Sequence, residues 1–428
     1  MRRLPVIIFL FCCAVGLAAQ ERDSLDWEID SVFDEPLQEL PADEPQAEPL
    51  QGQASAGSLL QRRGFLVEAG FEFVGGIGPG WNNTPWSDNW NENDFYLDRY
   101  IKMIGAFSID AQISEVFRVK SVIRFDPPDL IPKLGDFFVD YKLYDTVFFR
   151  GGKFSQSWGI SPNYGFTDLL SRVPAREDEK YADDSYIIKA DVPIGTGGVQ
   201  ALALTRIDLM SSGDIQPKID DFGLGGKYNL ALRWIDLDAG VFYQEGMPLR
   251  GFVSLKTTFR NTELYNEWLG AIDVYEPSNM SGAVNLGFGR DFFGGKLNVN
   301  GELFYNGEKD ASFYQPETNI RESATIPFID GFNIAFNFRY KPWRRGNPLV
   351  FLRTLYAPME KSAQLIPGFR LNPWRHIEFS LAFPMGLGEE NGYYYKNTLT
   401  VDKEKNPLPF AVIFLITLKG SIQFGYYY

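Results

Sequence analysis

The sequence predicts an all-β fold: an antiparallel transmembrane β-barrel of about 18 strands, within a range of 16–20, with short periplasmic turns and long external loops. Three observations carry that expectation. From Gly64 onward apolar residues recur with a period of two. The connections between these runs alternate between short and long. The final run keeps one apolar face to its last residue, Tyr428. Composition agrees, since aromatics reach 15% while the chain stays polar on average. Strands that are apolar on one face and polar on the other give that mixture. No stretch reaches the roughly 18 consecutive apolar residues that a spanning helix needs.

The N-terminal residues read as an export signal. Arg2 and Arg3 precede a short apolar run at 4–11, and Gly16 and Ala18 occupy the small-residue positions before cleavage at Ala19. Residues 1–18 are therefore expected to be a signal peptide. A lipoprotein signal ending at Cys12 or Cys13 is the rival reading, with a much shorter apolar core. Both cysteines of the chain lie here. The exported protein would then have no disulfide, thiolate nucleophile or sulfur-ligated metal.

Residues 19–60 are expected to form an acidic, proline-rich, disordered periplasmic tether. Between residues 21 and 48, eleven Asp or Glu residues face the single basic Arg22, a net charge of −10. Pro36, Pro41, Pro45 and Pro49 interrupt it. The formal −14 of the whole chain reduces to −6 from residue 49 onward, so the acidity belongs mainly to this segment. Residues 61–428 are expected to be the barrel.

Within the barrel the strands read clearly. Phe65, Val67, Ala69, Phe71 and Phe73 share one face, with Glu68 and Glu72 on the other. Ile101, Met103, Phe107 and Ile109 oppose Lys102, Ser108 and Asp110. Phe117, Val119 and Ile123 oppose Arg118, Lys120 and Arg124. Further runs follow at 137–143, 147–156, 186–192, 199–207, 222–230, 235–244, 251–259, 267–275, 282–290, 296–305, 328–340, 349–356, 365–371 and 377–383. Short connections fall at 114–116, 144–146, 193–198, 293–295, 344–347 and 372–375. Long ones fall at 78–94, 126–136, 158–185, 208–221, 306–327 and 384–408. With the N-terminus in the periplasm, every long loop faces outward.

From Phe410 the even positions run through Phe414, Ile416, Leu418, Ile422, Phe424 and Tyr426 to Tyr428, against Thr417, Lys419, Ser421 and Gln423. This resembles the C-terminal insertion signal of bacterial outer-membrane proteins, although the chain ends on Tyr rather than Phe. The resemblance implies that Ile422, Phe424, Tyr426 and Tyr428 are read by the barrel assembly machinery. A second stretch, Val139-Asp140-Tyr141-Lys142-Leu143 followed by Arg150-Gly151-Gly152-Lys153-Phe154 and Trp158-Gly159, resembles a hairpin of porin-type barrels. It covers about forty residues and points to no subfamily.

Function follows from what the barrel wall can do. The chain's one histidine, His376, sits beside a short turn, and no Gly-x-Ser-x-Gly elbow or phosphate loop accompanies it. No enzyme activity, cofactor, metal or nucleic-acid partner is expected. Trp81, Trp86 and Trp90 in the first long loop, and Tyr393, Tyr394 and Tyr395 in the last, suit interfacial girdles or loop packing, with sugar stacking as the functional alternative for the Trp/Asn loop. Arg118, Lys120 and Arg124 share an inward face and Arg150 joins them, making candidate lumen-lining residues. The same charges could equally be a paired polar wall.

The loop at 158–185 is long enough to fold inward and narrow a pore. Asp168, Glu177, Asp178, Glu179, Asp183 and Asp184 outnumber Arg172, Arg176 and Lys180 there, which favours modest cation preference. The reading is a porin-like channel for passive diffusion of small hydrophilic solutes. Its partners would be outer-membrane lipid, the assembly machinery and, in a homo-oligomer, further copies. The alternatives are a structural or adhesive barrel with an occluded lumen and ligand-binding loops, and a secreted soluble β-protein.

Overall fold

The computed structural model describes residues 64–81, 84–85, 95–125, 132–144, 146–154, 156, 158–164, 185–207, 219–244, 248–275, 277–278, 280–307, 331–343, 347–374, 376–390, 392–396 and 409–427. The signal and tether expected at 1–60 lie outside the described residues.

One antiparallel sheet closes on itself. Its strands are β1 (Gly64–Trp81), β2 (Phe95–Ser114), β3 (Phe117–Phe125), β4 (Pro132–Leu143), β5 (Val147–Lys153), β6 (Ser185–Ile194), β7 (Gly197–Ile207) and β8 (Ile219–Ala231). Then come β9 (Asp236–Gln244), β10 (Leu249–Phe259), β11 (Thr262–Ile272), β12 (Met280–Phe292), β13 (Leu297–Asn306), β14 (Gly331–Tyr340), β15 (Leu349–Ala357) and β16 (Ser362–Trp374). The seventeenth strand is in two pieces, Ile377–Ala382 and Met385–Gly388, and so is the closing strand, Phe410–Ala411 and Ile413–Tyr427. The 20 segments of the sheet thus form 18 wall strands. Each pairs with its sequence neighbour, and the closing strand pairs with β1 from Gly64↔Tyr427 to Ile77↔Phe414. Closure leaves no sheet edge along that seam for another chain to pair with.

Alternation decides which way each side chain points. Phe71, Ile188 and Trp268 stand outward, 54%, 65% and 54% exposed. Glu267, Asn285 and Phe304, one position out of phase with such residues, are fully buried inside. An apolar band outside a polar interior is the pattern of a barrel whose solvent is lipid. Among the described residues no helix is long and apolar enough to cross a membrane.

Of the boundaries that differ from the sequence expectation, three are informative. β11 begins at Thr262 rather than 267, directly after a two-residue turn in which Arg260 and Asn261 have φ of 49° and 63°. Glu263 looks like a loop residue in sequence, but it shares the inner face of β11 with Tyr265 and Glu267. β4 begins at Pro132, within a stretch expected to be loop. The segment from 384 was also expected to be loop, yet Met385–Gly388 resumes the seventeenth strand after a break. Pro384 causes that break because it has no N–H to give the ladder. Its carbonyl still accepts from Ala411 N at 3.0 Å.

Candidate functional site

After β5 the chain turns into the barrel instead of crossing to β6 at the rim. The described part of this strap comprises Phe154, Gln156 and residues 158–164. Trp158 is only 1% exposed, and its ring packs against Phe242 and Phe252 at centroid distances of 6.3 and 5.7 Å. Glycine makes the seat: a Cβ on Gly225 of β8 would lie 2.8 Å from the Trp158 ring. Trp158 Nε1 donates to Gln200 Oε1 at 2.6 Å, so the polar edge of a buried indole is satisfied.

Two wall carboxylates hold the rest. Glu267 accepts from Ile160 N at 2.9 Å. Glu302 on β13 is the larger anchor. It accepts from Ser161 Oγ at 2.6 Å, from Asn163 N and Nδ2 at 3.0 and 2.9 Å, and from Tyr164 N at 3.3 Å. From the wall it also accepts Tyr265 OH at 2.9 Å and Asn285 Nδ2 at 3.1 Å. A buried ionised carboxylate is costly unless saturated by donors, and six donors saturate this one. Asn337 Nδ2 reaches Asn163 Oδ1 at 2.6 Å, and Tyr164 stacks on Phe304 at 4.8 Å. The strap is thus fixed to β7, β11, β13 and β14.

A second element enters from the long-loop end. The short helical turn Tyr393–Lys396 buries Tyr394, whose hydroxyl donates to Asn333 Oδ1 at 3.2 Å. Burial raises the Tyr394 phenol to about 12. Tyr395 is buried as well, so these tyrosines pack inward rather than forming a girdle. Trp81 lies between Phe95 and Phe410 at 5.5 and 5.3 Å; Trp86 and Trp90 lie outside the described residues.

The basic residues singled out in sequence divide. Arg118 Nη2 meets Asp110 at 2.5 Å and Arg118 Nη1 lies 3.8 Å from Asp140. Arg150 donates from Nε and Nη2 to Asp140 Oδ1 and Oδ2, at 2.6 and 3.0 Å, and its guanidinium sits 4.2 Å from the Phe138 centroid. Lys120 is in register with Asp110 and 5.9 Å from the same ring. These three converge; Arg124, farther along β3, is exposed and apart from them. The charges of Arg118 and Arg150 are matched by Asp110 and Asp140, as in the paired-wall alternative.

Ile422 and Phe424 face outward, 61% and 65% exposed, and Tyr426 pairs with Phe65 through the backbone. Tyr428 lies outside the described residues, as do Asp168, Glu177, Asp178, Glu179, Asp183 and Asp184. His376 lies at its turn with Nδ1 3.1 Å from the Lys419 carbonyl. The sequence reading missed Glu302, Glu267 and Tyr265. The available signal was their place on the polar half of alternating strands, where a buried carboxylate needs a partner.

No family model matches the chain, and no curated protein matches it in sequence. Solved structures do. Pseudomonas aeruginosa OccD3 (OpdP) aligns with a TM-score of 0.48 and 10% identity over 83% of this chain and 91% of that one. A mutant of the Rhodobacter blastica porin aligns with a TM-score of 0.40 and 11% identity over 83% and 100%. Wzi of Escherichia coli, described as a carbohydrate-binding β-barrel involved in group 1 capsule assembly, gives 0.47 and 10% over 81% and 84%. All three TM-scores lie below 0.5 and all three identities near 10%, so they add nothing to what the closed antiparallel sheet itself shows.

Proposed function

We propose that the chain is an outer-membrane channel through which small hydrophilic solutes diffuse passively. The observation that carries this reading is the strap. A polar-lined barrel of 18 strands encloses more width than side chains alone fill. The chain narrows that lumen with one segment held by Glu302 and Glu267. Restricting a lumen by an anchored segment sets a size limit while leaving water elsewhere. The net negative charge of 165–184 would favour cations in a lumen that it lined.

The test is planar-bilayer recording on refolded, detergent-purified protein. Folding is established beforehand by a heat-dependent shift in gel mobility and a β-dominated circular dichroism spectrum. Discrete ohmic steps are the expected result. A folded barrel that never conducts would overturn the channel reading in favour of a structural barrel with an occluded lumen. The apolar cluster of Trp158, Tyr164, Phe304 and Tyr394 inside the wall is the observation behind that second reading.

A further inference from the structure

Four consecutive connections at the short-turn end, between β8 and β15, each carry a cation and an exposed aromatic ring. Arg233 and Trp234 lie between β8 and β9, and Arg260 follows Phe259 at the end of β10. Phe293 and Lys296 lie between β12 and β13, and Lys341 and Trp343 follow β14. The Arg233 and Arg260 guanidiniums sit 5.3 and 5.2 Å from the centroids of the neighbouring rings and stay exposed. None of these four cations has an ion pair among the described residues. The nearest carboxylates are engaged on the inner face. Asp236 is opposite Lys256, Glu263 lies 3.1 Å from Lys256, and Asp291 accepts from Asn298 at 2.8 Å. Backbone carbonyls tie the turns to their neighbours: Lys341 N donates to Lys296 O at 2.7 Å, and Thr257 Oγ1 to Trp234 O at 2.5 Å.

The other half of this rim lacks the pattern. Its connections carry Glu115 after β2, Tyr144 after β4, and Gly195 and Thr196 after β6, with no cation among the described residues. Lipid surrounds a barrel, so a headgroup belt runs the whole way round. Cations confined to half the rim suit a localised anionic partner.

The chain carries such a partner itself. Residues 21–48 have a net charge of −10, and Gly64 opens β1 at this same end of the barrel. Within that segment acids alternate with apolar residues, Leu25, Trp27 and Ile29 against Asp26, Glu28 and Asp30. An extended stretch of this kind offers carboxylates on one side and apolar side chains on the other. That is the complement of arginines and lysines set beside bare rings. The connecting residues 49–63 cover at most about 50 Å. The four turns lie four to eight strands from β1, roughly 20–40 Å along the wall at about 4.8 Å per strand.

We propose that residues 21–48 dock along the rim of turns between β8 and β15. Their carboxylates meet Arg233, Arg260, Lys296 and Lys341, and their apolar side chains meet the exposed rings. A segment too acidic to fold alone is ordered by such a surface. The inference does not depend on the channel reading, since docking needs no conduction.

The experiment is photo-crosslinking of the full-length chain in cell envelopes. Benzoylphenylalanine replaces Trp27 or, in a second variant, Phe33, and adducts are mapped by mass spectrometry. Heat-dependent gel mobility confirms that each variant is folded. Adducts within one chain to 232–235, 259–261, 293–296 and 341–343 are expected. Combining Arg233→Gln, Arg260→Gln, Lys296→Gln and Lys341→Gln should lower their yield at least about fivefold. About 1 M salt, which screens charges over roughly 3 Å, should do the same to the unsubstituted rim. Glu115→Gln, on the other half of the rim, should leave the yield unchanged. No adduct from either position, or adducts to phospholipid, to a second copy or to another protein instead, would overturn the proposal. So would adducts spread evenly over both halves of the rim, or a yield that neither the four substitutions nor salt reduces.

Discussion

Tyr265 reaches Glu302 across Gly287. The three are aligned in one row of adjacent strands, Tyr265 opposite Gly287 and Gly287 opposite Glu302. The phenol lies over the glycine and donates to Glu302 Oε1 at 2.9 Å. A Cβ at Gly287 would sit 2.1 Å from the ring, so the bond and any larger residue cannot coexist. Tyr265→Phe should cost about 1.5–3 kcal/mol, the worth of a hydrogen bond to a charged group. Gly287→Ala should cost at least as much, because it displaces the ring as well. Urea titration of the barrel in lipid vesicles measures both. Wild-type stability for Gly287→Ala would refute the arrangement.

The strap gives a conductance prediction. Glu302→Ala leaves the buried donors of Ser161, Asn163 and Tyr164 without their acceptor, so the strap should detach and single-channel conductance should rise and become noisier. Trp158→Ala should act in the same direction by emptying the seat over Gly225. Unchanged conductance in both variants would place the constriction elsewhere.

Shortening the loop within 165–184 should also raise conductance and reduce cation preference. An electrostatic field is screened over about 10 Å at 0.1 M salt, so the preference should weaken as salt increases. Reversal potentials across a potassium chloride gradient measure it. If deletion moves neither quantity, those residues decorate the exterior.

The outer face should resist charge and the inner face tolerate its loss. Leu286→Arg or Trp268→Arg places a cation in lipid, at about 2–4 kcal/mol if near the midplane. Lys227→Gln, which removes one partly solvated ion pair with Asp238, should cost about 0–1 kcal/mol. Equal costs for the two faces, read from folding titrations in vesicles, would contradict the assignment of inside and outside.

Removing the last three residues should strand the chain in the periplasm if Phe424, Tyr426 and Tyr428 form the insertion signal. Removing residues 21–48 should leave insertion intact, as expected of an acidic, proline-rich tether. Fractionation of cell envelopes, with equal outer-membrane levels for the C-terminal deletion and wild type, would refute the first statement.

Tyr394 predicts an alkaline limit. Its phenol ionises at about 12 in the folded chain against 10.0 unfolded, because burial penalises the phenolate. Below pH 10 both states keep the proton and the residue contributes no pH dependence. Between pH 10 and 12 the unfolded chain releases it first, so folding weakens by about 2–3 kcal/mol. Tyr394→Phe should flatten that part of the stability profile, measured as unfolding free energy at about pH 9 and pH 11.5. An identical slope in both proteins would reject the assignment.

The period-two alternation of Phe65–Phe73 against Glu68 and Glu72, repeated around the chain, together with the alternating loop lengths and the apolar final run, pointed to an antiparallel barrel of about 18 strands, within 16–20. It works because each strand is sorted by two solvents, lipid outside and a polar lumen inside, and that sorting is local. Where polar residues fall on both faces of a segment, as Glu263 and Asn266 do, the pattern gave no boundary and the hairpin at Arg260 and Asn261 went unseen.

Partner choice inside the lumen was not local. Arg118 and Arg150 were read as one inward group, and Asp140, which gathers them, was visible only once β3, β4 and β5 were paired. Glu302 meets Asn163 across 139 residues of sequence. The sequence by itself determined which residues face inward, since alternation is a property of one strand. Which inward residues touch and where the strap is held were decided by strand register and by glycines that leave room for rings, and these are relations between strands.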